Sequence, residues 1–478
     1  MHYAYPPNID PAGFVFAWSR FLISLVPMKL FLDWSSYENA GMGDAYADIP
    51  KHGADFAKAV AVCIGSRQCE RDAKGVMCPS FRVSQNPGLS PGGRVKALKA
   101  ALNADNDAAF FNPELAETMA LCVSCKGCKR ECENEVDMAL IKAEFLAQQV
   151  QRNGLTLRRR LWAELPKILR WRGLRPLITW RNRSPLLARL GDAWLGISAK
   201  VRLPEPAAQP YQVPKQSELG LHPELADKQV VLLVDTFNYY FNPAAAEAAK
   251  KLLNSAGYHV HIATPLAGDD SDRPLCCGRT YFSNGLIDKA RAEAGRMVAA
   301  LADHVAAGRT IIGLEPSCIL SLRDEYLKLG LGEPAQKLAE KILLLEEFIV
   351  REQTGKRWPL EFQAIPGVNS LLLHGHCHQK AVGAIKSVRK LLKQLPDLKF
   401  ELIESSCCGM AGNFGVEAEH YDQAQAMAEL ALFPALRAEP DALLVSNGFS
   451  CQQQIGNGGF AKPLHLAEVL CLALPSQD

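Results

Sequence analysis

The residues with the clearest chemical potential are the cysteines in the run LCVSCKGCKRECENEVDM, residues 121–138. Cys122, Cys125, Cys128 and Cys132 follow the C-x2-C-x2-C-x3-C spacing typical of a chain that wraps a cubane iron–sulfur cluster. Thiolates two residues apart reach three corners of one cube only where the backbone curls tightly, and Gly127 permits such a curl. Zinc is the alternative, although it usually takes its ligands from two distant C-x2-C pairs. The spacing therefore predicts an electron carrier.

Three further cysteines, Cys63, Cys69 and Cys78, precede this run in CIGSRQCERDAKGVMCPS. The segment resembles the first arm of a two-cluster ferredoxin, but Ser66 stands where a C-x2-C-x2-C arm would have its middle cysteine. Eight residues, instead of three, separate Cys69 from Cys78. The segment therefore predicts an incomplete second set of cluster ligands.

In two-cluster ferredoxins the last cysteine of each arm ligates the cluster of the other arm. Under this rule one complete 4Fe-4S cluster is held by Cys78, Cys122, Cys125 and Cys128. The other cluster is left with the thiolates of Cys63, Cys69 and Cys132 and is one ligand short. It is then a three-iron (3Fe-4S) cluster, a cluster completed by Ser66 or another side chain, or absent, with structural cysteines in its place.

The C-terminal half of the chain repeats one pattern. The segments VVLLVDTFNYYFNP (230–243) and SLLLHGHCHQKAV (370–382) each predict a strand that enters a helix. A Cys-Cys-Gly follows each, at 276–278 and 407–409, and then come an Ala-rich helix, an apolar strand and a final cysteine, Cys318 or Cys451. Two matched halves predict a pseudo-twofold domain whose cysteines meet at the interface.

The two halves differ in their candidate metal ligands. Adjacent cysteines reach one ligand site only through a distorted turn, which the following glycine permits. The second half offers four thiolates, from Cys377, Cys407, Cys408 and Cys451. In the first half Phe237 matches Cys377, which leaves only Cys276, Cys277 and Cys318. The ligand count favours a metal site in the second half over the first.

Three histidines, His374, His376 and His378, alternate around Cys377. On a strand they would face one side of the sheet together. They are candidates for metal ligands, proton carriers beside a redox centre, or hydrogen-bond donors to thiolates. For each one, the last role or simple core packing is favoured over ligation.

Composition narrows the class of protein. The chain has 478 residues, 48% of them hydrophobic, which is enough for about two to four domains with buried cores. The net charge of +2 does not indicate the strongly basic surface that nucleic-acid binding needs, so nucleic acid is not an expected partner. Fifteen cysteines in tight clusters do not fit the disulfide framework of a short secreted domain, which predicts a reducing cytoplasm. The sequence holds no G-x-G-x-x-G motif or P-loop lysine.

These signals divide the chain into four zones. We predict an apolar N-terminal segment (1–50), a helical dicluster, ferredoxin-like domain (51–150), a basic helical linker (151–228) and a duplicated α/β Cys-Cys-Gly domain (229–478). The two repeats of the last domain run over about 229–330 and 369–460. The predicted fold class is therefore mixed α/β.

Two segments outside the cysteine motifs are candidate contact surfaces. The apolar stretch Phe14–Leu32 is interrupted by charged residues and a proline, so it is too broken to cross a bilayer. It either forms a buried helical hairpin or lies on a partner or surface. The stretch Arg152–Arg189 holds eleven Lys and Arg against one acid, Glu164, with tryptophans interleaved. It is either a solvated helical linker or a surface for anionic lipid or an acidic partner.

Together these motifs resemble the iron–sulfur portion of the FAD-linked D-2-hydroxyacid dehydrogenases, over roughly residues 55 to 470. The most specific pieces are MCPSFRVS, LCVSCKGCKRECENEVDMALIKAEFL, LHGHCHQKAVG and SCCGMAGNFGVEAEHYD. The paired halves also resemble the Cys-Cys-Gly domains of heterodisulfide reductase and of the iron–sulfur subunit of anaerobic glycerol-3-phosphate dehydrogenase. The chain departs from the pattern at Glu133, where a proline usually follows the last ferredoxin cysteine, at Phe237, and at Gln454, where a closing C-x2-C would place a thiolate.

The resemblance implies an electron-transfer subunit with 4Fe-4S clusters and a further cluster in the Cys-Cys-Gly domain. In many relatives an FAD-binding oxidase domain is fused to this part, so we expect FAD only on a partner, an FAD-binding dehydrogenase subunit. That flavoprotein would oxidise a small D-2-hydroxyacid of the glycolate, D-lactate or D-2-hydroxyglutarate type. The electrons would leave to a quinone or cytochrome, with the protein cytoplasmic or peripheral at the inner face of the membrane.

Two other functions stay open from the sequence. One is a heterodisulfide-reductase-like thiol/disulfide redox enzyme that uses the second Cys-Cys-Gly site. The other is the iron–sulfur subunit of another flavin dehydrogenase, such as glycerol-3-phosphate dehydrogenase. A purely structural metal scaffold is a third possibility.

Overall fold

The computed structural model describes residues 28–44, 47–71, 75–214 and 228–475. Most of the apolar stretch Phe14–Leu32 lies outside the described residues, so the prediction of a hairpin or a contact surface there stays a prediction. Its last residues pack against the helical part of the chain. The buried carboxylate of Glu144 accepts hydrogen bonds from the backbone nitrogen of Leu32 (2.9 Å) and from Nε1 of Trp34 (3.1 Å).

The cysteine-rich N-terminal part is helical. Ser90 caps one helix by accepting a hydrogen bond from the backbone nitrogen of Gly93 (2.9 Å), and Asp137 caps another through the nitrogen of Leu140 (3.0 Å). Apolar side chains on their inner faces, such as Phe145, form one core. The α-helices are α1 (Ala54–Ala61), α2 (Pro79–Ser84), α3 (Pro91–Asn103), α4 (Pro113–Ala120), α5 (Gly127–Glu131) and α6 (Met138–Asn153).

Four short helices connect this part to the α/β units: α7 (Leu157–Ala163), α8 (Leu165–Ile168), α9 (Leu174–Arg183) and α10 (Pro185–Leu195). They bury little of their surface, and α9 has no buried residue at all. Large apolar side chains are exposed on them, including Trp180 and Trp194, and Trp171 is exposed between α8 and α9. Within the described part of the chain, no helix combines the length and the apolar character needed to cross a membrane.

The first α/β unit is built on a parallel sheet of four strands in the order β2-β1-β3-β4. The central strand pairs Leu232 with Ile262 on one side and with Ile312 on the other. The strands are β1 (Gln229–Leu233), β2 (His259–Ile262), β3 (Thr310–Gly313) and β4 (Ile342–Leu344). The helices are α11 (Thr236–Tyr240), α12 (Pro243–Ser255), α13 (Arg279–Phe282), α14 (Ile287–Ala306), α15 (Pro316–Ile319), α16 (Gly332–Lys341) and α17 (Leu345–Thr354).

The second α/β unit has a parallel sheet of three strands in the order β6-β5-β7. The strands are β5 (Ser370–Leu373), β6 (Lys399–Leu402) and β7 (Leu443–Val445). The helices are α18 (Cys377–Ala381), α19 (Ile385–Leu392), α20 (Tyr421–Glu429), α21 (Leu432–Ala438), α22 (Phe449–Asn457) and α23 (Leu466–Leu472). Helix α23 packs on α12 of the first unit, and Leu252 and Leu470 belong to one core that spans both units.

The prediction of a mixed α/β fold is confirmed, with strands that lead into helices at both predicted places. Parallel strands buried on both faces are continuous apolar runs, and VVLLV and SLLL have that character. In each sheet the first strand of the unit, β1 or β5, lies between two other strands of that unit. Duplication of one ancestral unit and the domain boundaries given above stay predictions.

Candidate metal centres

Four cysteines, Cys78, Cys122, Cys125 and Cys128, line one cavity, which we call the first centre. The loop from Cys122 to Cys128 curls between α4 and α5 through left-handed conformations at Ser124 (φ 49°) and Lys126 (φ 60°). A Cβ at Gly127 would lie 2.8 Å from the backbone nitrogen of Met77, so only glycine lets the loop pack this closely on the segment that ends in Cys78. The donor set and the tight curl fit a cubane cluster, and ligation by these residues stays a prediction.

The surroundings of the first centre favour bound metal over free thiols. Burial and neighbouring cysteines raise the pKa of Cys125 and of Cys128 well above the usual range. Thiols like these stay protonated unless a cation converts them to thiolates. Two basic side chains lie beside the centre: Nη1 of the buried Arg94 is 3.7 Å from Sγ of Cys78, and Nζ of the half-buried Lys142 donates to the carbonyl of Cys122. Burial lowers the pKa of Lys142 to about 8.

The other three ferredoxin-type cysteines, Cys63, Cys69 and Cys132, are half-buried at the edge of the helical core. Sγ of Cys69 accepts a hydrogen bond from the backbone nitrogen of Gly92 at 3.4 Å. Nδ2 of Asn134 donates to the carbonyl of Val62 at 2.9 Å, which ties the segment after Cys132 to the segment of Cys63. Ser66 lies in an exposed stretch. A second cluster on these residues stays a prediction.

The second centre consists of Cys377, Cys407, Cys408 and Cys451. Cys377 is the first residue of α18, the cysteine pair follows β6, and Cys451 lies in α22. The thiols of Cys377 and Cys408 both contact Cys407, and Cys408 also contacts Cys451. Gly409 has a φ of +91° and donates its backbone N–H to Sγ of Cys407 at 3.4 Å. The structure thus brings together all four predicted thiols of the second half.

The three histidines have different surroundings and do not lie together on one strand. Strand β5 ends at Leu373 and helix α18 begins at Cys377, which turns the chain between them. Nδ1 of His376 accepts the backbone N–H of His378 at 3.1 Å and caps α18. Nε2 of His378 lies 3.1 Å from the carbonyl oxygen of Ser124 in the first centre. A ring nitrogen of His374 lies within 4.8 Å of the sulfurs of Cys408 and Cys451 in the second centre.

In the first α/β unit Cys277 contacts both Cys276 and Cys318. Gly278 repeats the geometry of Gly409, with a φ of +75° and a backbone N–H that donates to Sγ of Cys276 at 3.4 Å. Phe237, at the place that matches Cys377, stacks on Phe449 with ring centroids 4.8 Å apart. Three thiols therefore converge here, with an aromatic ring in place of the fourth.

Two buried acids, Asp235 and Glu315, lie beside Cys318, and the cysteine motifs do not predict them. Asp235 caps α11 by accepting the backbone N–H of Phe237 at 2.9 Å, and Glu315 accepts that of Phe449 at 2.7 Å. Burial, reinforced by Asp235, raises the pKa of Glu315 to about 7. The contact with Cys277 lowers the pKa of Cys318, but burial and Asp235 raise it to about 12 overall. An acid directly after an apolar strand was the available signal for Asp235.

The first and second centres share one buried apolar cluster. Cys125 lies in the same apolar cluster as Cys407 and Cys408, and the nearby Cys407 contributes to raising the pKa of Cys125, after burial and other cysteines. Oγ of Ser406 donates to the carbonyl of Val76, next to the first centre. The two centres are therefore close enough to share one core and a hydrogen bond between their supporting segments.

Ion pairs fix the loop of the first centre to the first α/β unit. Nζ of Lys126 lies 2.7 Å from Asp324 and 2.8 Å from Glu325, and Nζ of Lys129 lies 2.7 Å from Asp324. Arg279 pairs with Glu325 at 2.8 Å. The loop is thus held by both α/β units. The sequence gives no sign of these pairs, because their partners are far apart in the chain.

Comparison with known proteins bears on this arrangement. Residues 59–136 match the family described as 4Fe-4S dicluster domain, and residues 371–456 match the family described as cysteine-rich domain. The chain is an iron–sulfur protein. The two matched ranges contain the first centre and the second centre respectively.

The relatives of this iron–sulfur protein include several dehydrogenases. It is 23% identical over 441 residues to D-2-hydroxyglutarate dehydrogenase of Escherichia coli (strain K12). The aligned region covers 82% of this chain and 41% of that protein. It is 27% identical over 301 residues to one subunit of the anaerobic glycerol-3-phosphate dehydrogenase of the same organism, covering 63% of this chain and 72% of that relative. It is 27% identical over 258 residues to lactate utilization protein A of Bacillus subtilis (strain 168), covering 50% of this chain and 96% of that protein.

The chain spans less than half the length of D-2-hydroxyglutarate dehydrogenase. No solved structure matches it. The iron–sulfur protein is therefore related to dehydrogenases of hydroxyacids and of glycerol 3-phosphate through its cluster-binding part.

Proposed function

We propose that this iron–sulfur protein is an electron-transfer subunit. It would take electrons from a flavoprotein that oxidises a small D-2-hydroxyacid of the glycolate, D-lactate or D-2-hydroxyglutarate type, and deliver them to a downstream acceptor. The observation that carries the proposal is that Cys125 of the first centre and Cys407 of the second belong to one buried apolar cluster and interact electrostatically. Iron–sulfur clusters at these centres would supply reversible one-electron transfer.

The residues around the centres suit this role. Val76 and Val123 belong to the apolar cluster that encloses Cys125, Cys407 and Cys408, so water is kept from the space between the centres. The half-buried Cys63, Cys69 and Cys132 lie closer to the surface. We infer that the flavin partner docks on that side, where its redox group comes closest to the chain.

A peripheral membrane contact would place a quinone acceptor within reach. Helices α9 and α10 present Trp180 (62% exposed) and Trp194 (84% exposed), together with several arginines. Exposed tryptophan beside arginine suits the headgroup region of an anionic membrane surface. We expect the protein to sediment with vesicles that contain phosphatidylglycerol and to lose this binding in Trp180→Ser/Trp194→Ser. Equal binding of the double variant, or no binding by the wild type, would reject this contact.

Reconstitution tests the main proposal. The protein is purified anaerobically, its iron is counted, and its dithionite-reduced electron paramagnetic resonance (EPR) spectrum is recorded. Fewer than about three irons per chain would contradict an electron carrier, because one cubane alone holds about four. The isolated chain should not oxidise glycolate, D-lactate or D-2-hydroxyglutarate, and activity should appear when the FAD-binding dehydrogenase is added. Robust oxidation by the isolated chain would contradict the proposal.

A second candidate is the iron–sulfur subunit of a glycerol-3-phosphate dehydrogenase. The favouring observation is the match over 72% of the length of the related subunit from the anaerobic enzyme. The same reconstitution separates the two, since glycerol 3-phosphate would then be the substrate that reduces the centres. Turnover of a disulfide by the isolated chain would instead favour a thiol/disulfide reductase.

A further inference from the structure

His374 is a buried histidine beside the second centre. It follows the end of β5 and is only 1% exposed. One of its ring nitrogens and the sulfurs of Cys408 and Cys451 all lie within 4.8 Å of one another. This spacing places an imidazole nitrogen close enough to the thiols to bind the same metal.

The other contacts of the ring decide which nitrogen is available. Nδ1 of His374 lies 3.1 Å from Oγ of Ser405, and that hydroxyl oxygen also accepts from Nζ of Lys380 at 3.0 Å. A metal-bound histidine usually donates its second ring N–H to an oxygen in this way. Nε2 of His374 is buried and has no hydrogen-bond partner in the described part of the chain. A buried ring nitrogen without a partner is costly, and a ligand bond removes that cost.

We propose that Nε2 of His374 is a ligand of the metal in the second centre, beside its four thiolates. It would take the place of the thiolate that a closing C-x2-C would supply at Gln454, whose amide nitrogen is instead bonded to the carbonyl of Ala424 at 3.2 Å. The inference rests on metal in the second centre, which is part of the proposed function. It does not depend on the identity of the hydroxyacid.

The ligand type has a redox consequence. Imidazole is neutral where a thiolate carries a negative charge, so a mixed His/Cys site favours the reduced form more than an all-Cys site does. His374→Cys should therefore keep its iron and shift the midpoint potential of the second centre downward. His374→Ala should lose iron from that centre and leave the first centre loaded.

Isotope labelling tests the ligand without any substitution. In the reduced wild type, pulsed EPR should detect a nitrogen coupling that changes when only histidine is labelled with ¹⁵N. His374→Cys should lose this coupling. The matched control is His465→Asn, because His465 is equally buried but both of its ring nitrogens contact backbone groups, the N–H of Ala467 (3.0 Å) and the carbonyl of Leu314 (3.3 Å). This control should retain the coupling.

The outcomes separate the two claims. An iron-loaded second centre without a histidine coupling in the wild type, or with a coupling that persists in His374→Cys, would overturn ligation by His374 alone. A chain that binds no iron under anaerobic conditions would overturn the electron-carrier function as well. Loss of the coupling in His465→Asn together with its persistence in His374→Cys would assign the signal to a different residue.

Discussion

Replacement of Gly409 by alanine tests how the second centre is built. Gly409 has a φ of +91°, and a Cβ there would lie 2.1 Å from the carbonyl oxygen of Ala424 in α20. A left-handed conformation costs an L-residue roughly 1–2 kcal/mol. The overlap forces α20 away from the cysteine pair, and such overpacking costs about 1–3 kcal/mol more. The free energy of unfolding should therefore fall by roughly 2–5 kcal/mol in Gly409→Ala.

Two other glycines provide matched controls. Gly412→Ala introduces the same kind of backbone strain (φ +70°), but nothing lies within 4 Å of its Cβ, so only the strain, roughly 1–2 kcal/mol, should be lost. Gly278→Ala should fall between the two, because its Cβ would lie 2.9 Å from the carbonyl oxygen of Ala290. Urea unfolding gives the free energies, and iron analysis shows whether the second centre survives. Equal losses in Gly409→Ala and Gly412→Ala would refute the reasoning from the α20 contact.

Three further predictions concern other parts of the chain. Cys125→Ala should lose about four irons per chain. Cys318→Ala should keep its iron and lose only about 1–3 kcal/mol of unfolding free energy. Equal iron loss in Cys318→Ala and Cys408→Ala would show that both halves bind metal. Although burial opposes it, Lys126 and Lys129 hold the pKa of Asp324 well below its usual range, so its stabilising contribution is complete above about pH 4 and is lost as the pH falls further. Asp324→Asn should flatten this acid dependence in urea titrations of the apoprotein, and an unchanged slope would contradict the ion-pair assignment. Glu144→Ala leaves buried donors near Trp34 unpaired and should cost about 3 kcal/mol or more, visible as faster proteolysis around Trp34; wild-type resistance would contradict it.

The sequence predicted the parts of the molecule that local pattern controls. Apolar runs such as VVLLV predict buried parallel strands, because both faces of such a strand are covered. Cysteine spacing groups Cys78 with the run at Cys122, and the structure places these side chains in one cavity. Their role as ligands is still a prediction, as is the second ferredoxin-type cluster.

The sequence did not predict features that depend on distant contacts or on the end of a short strand. On a strand, the alternating His374, His376 and His378 would face one side. Instead, His376 caps a helix that begins at Cys377. The pairing of Lys126 with Asp324 joins residues 198 positions apart, which no spacing rule detects. A local capping contact decides the first feature, and tertiary packing decides the second.

The clamped loop of the first centre has a consequence for biosynthesis. The loop contacts Asp324 across 198 positions and His378 across 254, and the neighbouring Val76 contacts Ser406 across 330. A ribosome releases the cysteines of this loop long before it makes the residues that hold them in place. During that interval the thiols are open to oxidation and to the wrong metal. We therefore expect stable cluster assembly at the first centre to follow synthesis of the C-terminal third of the chain.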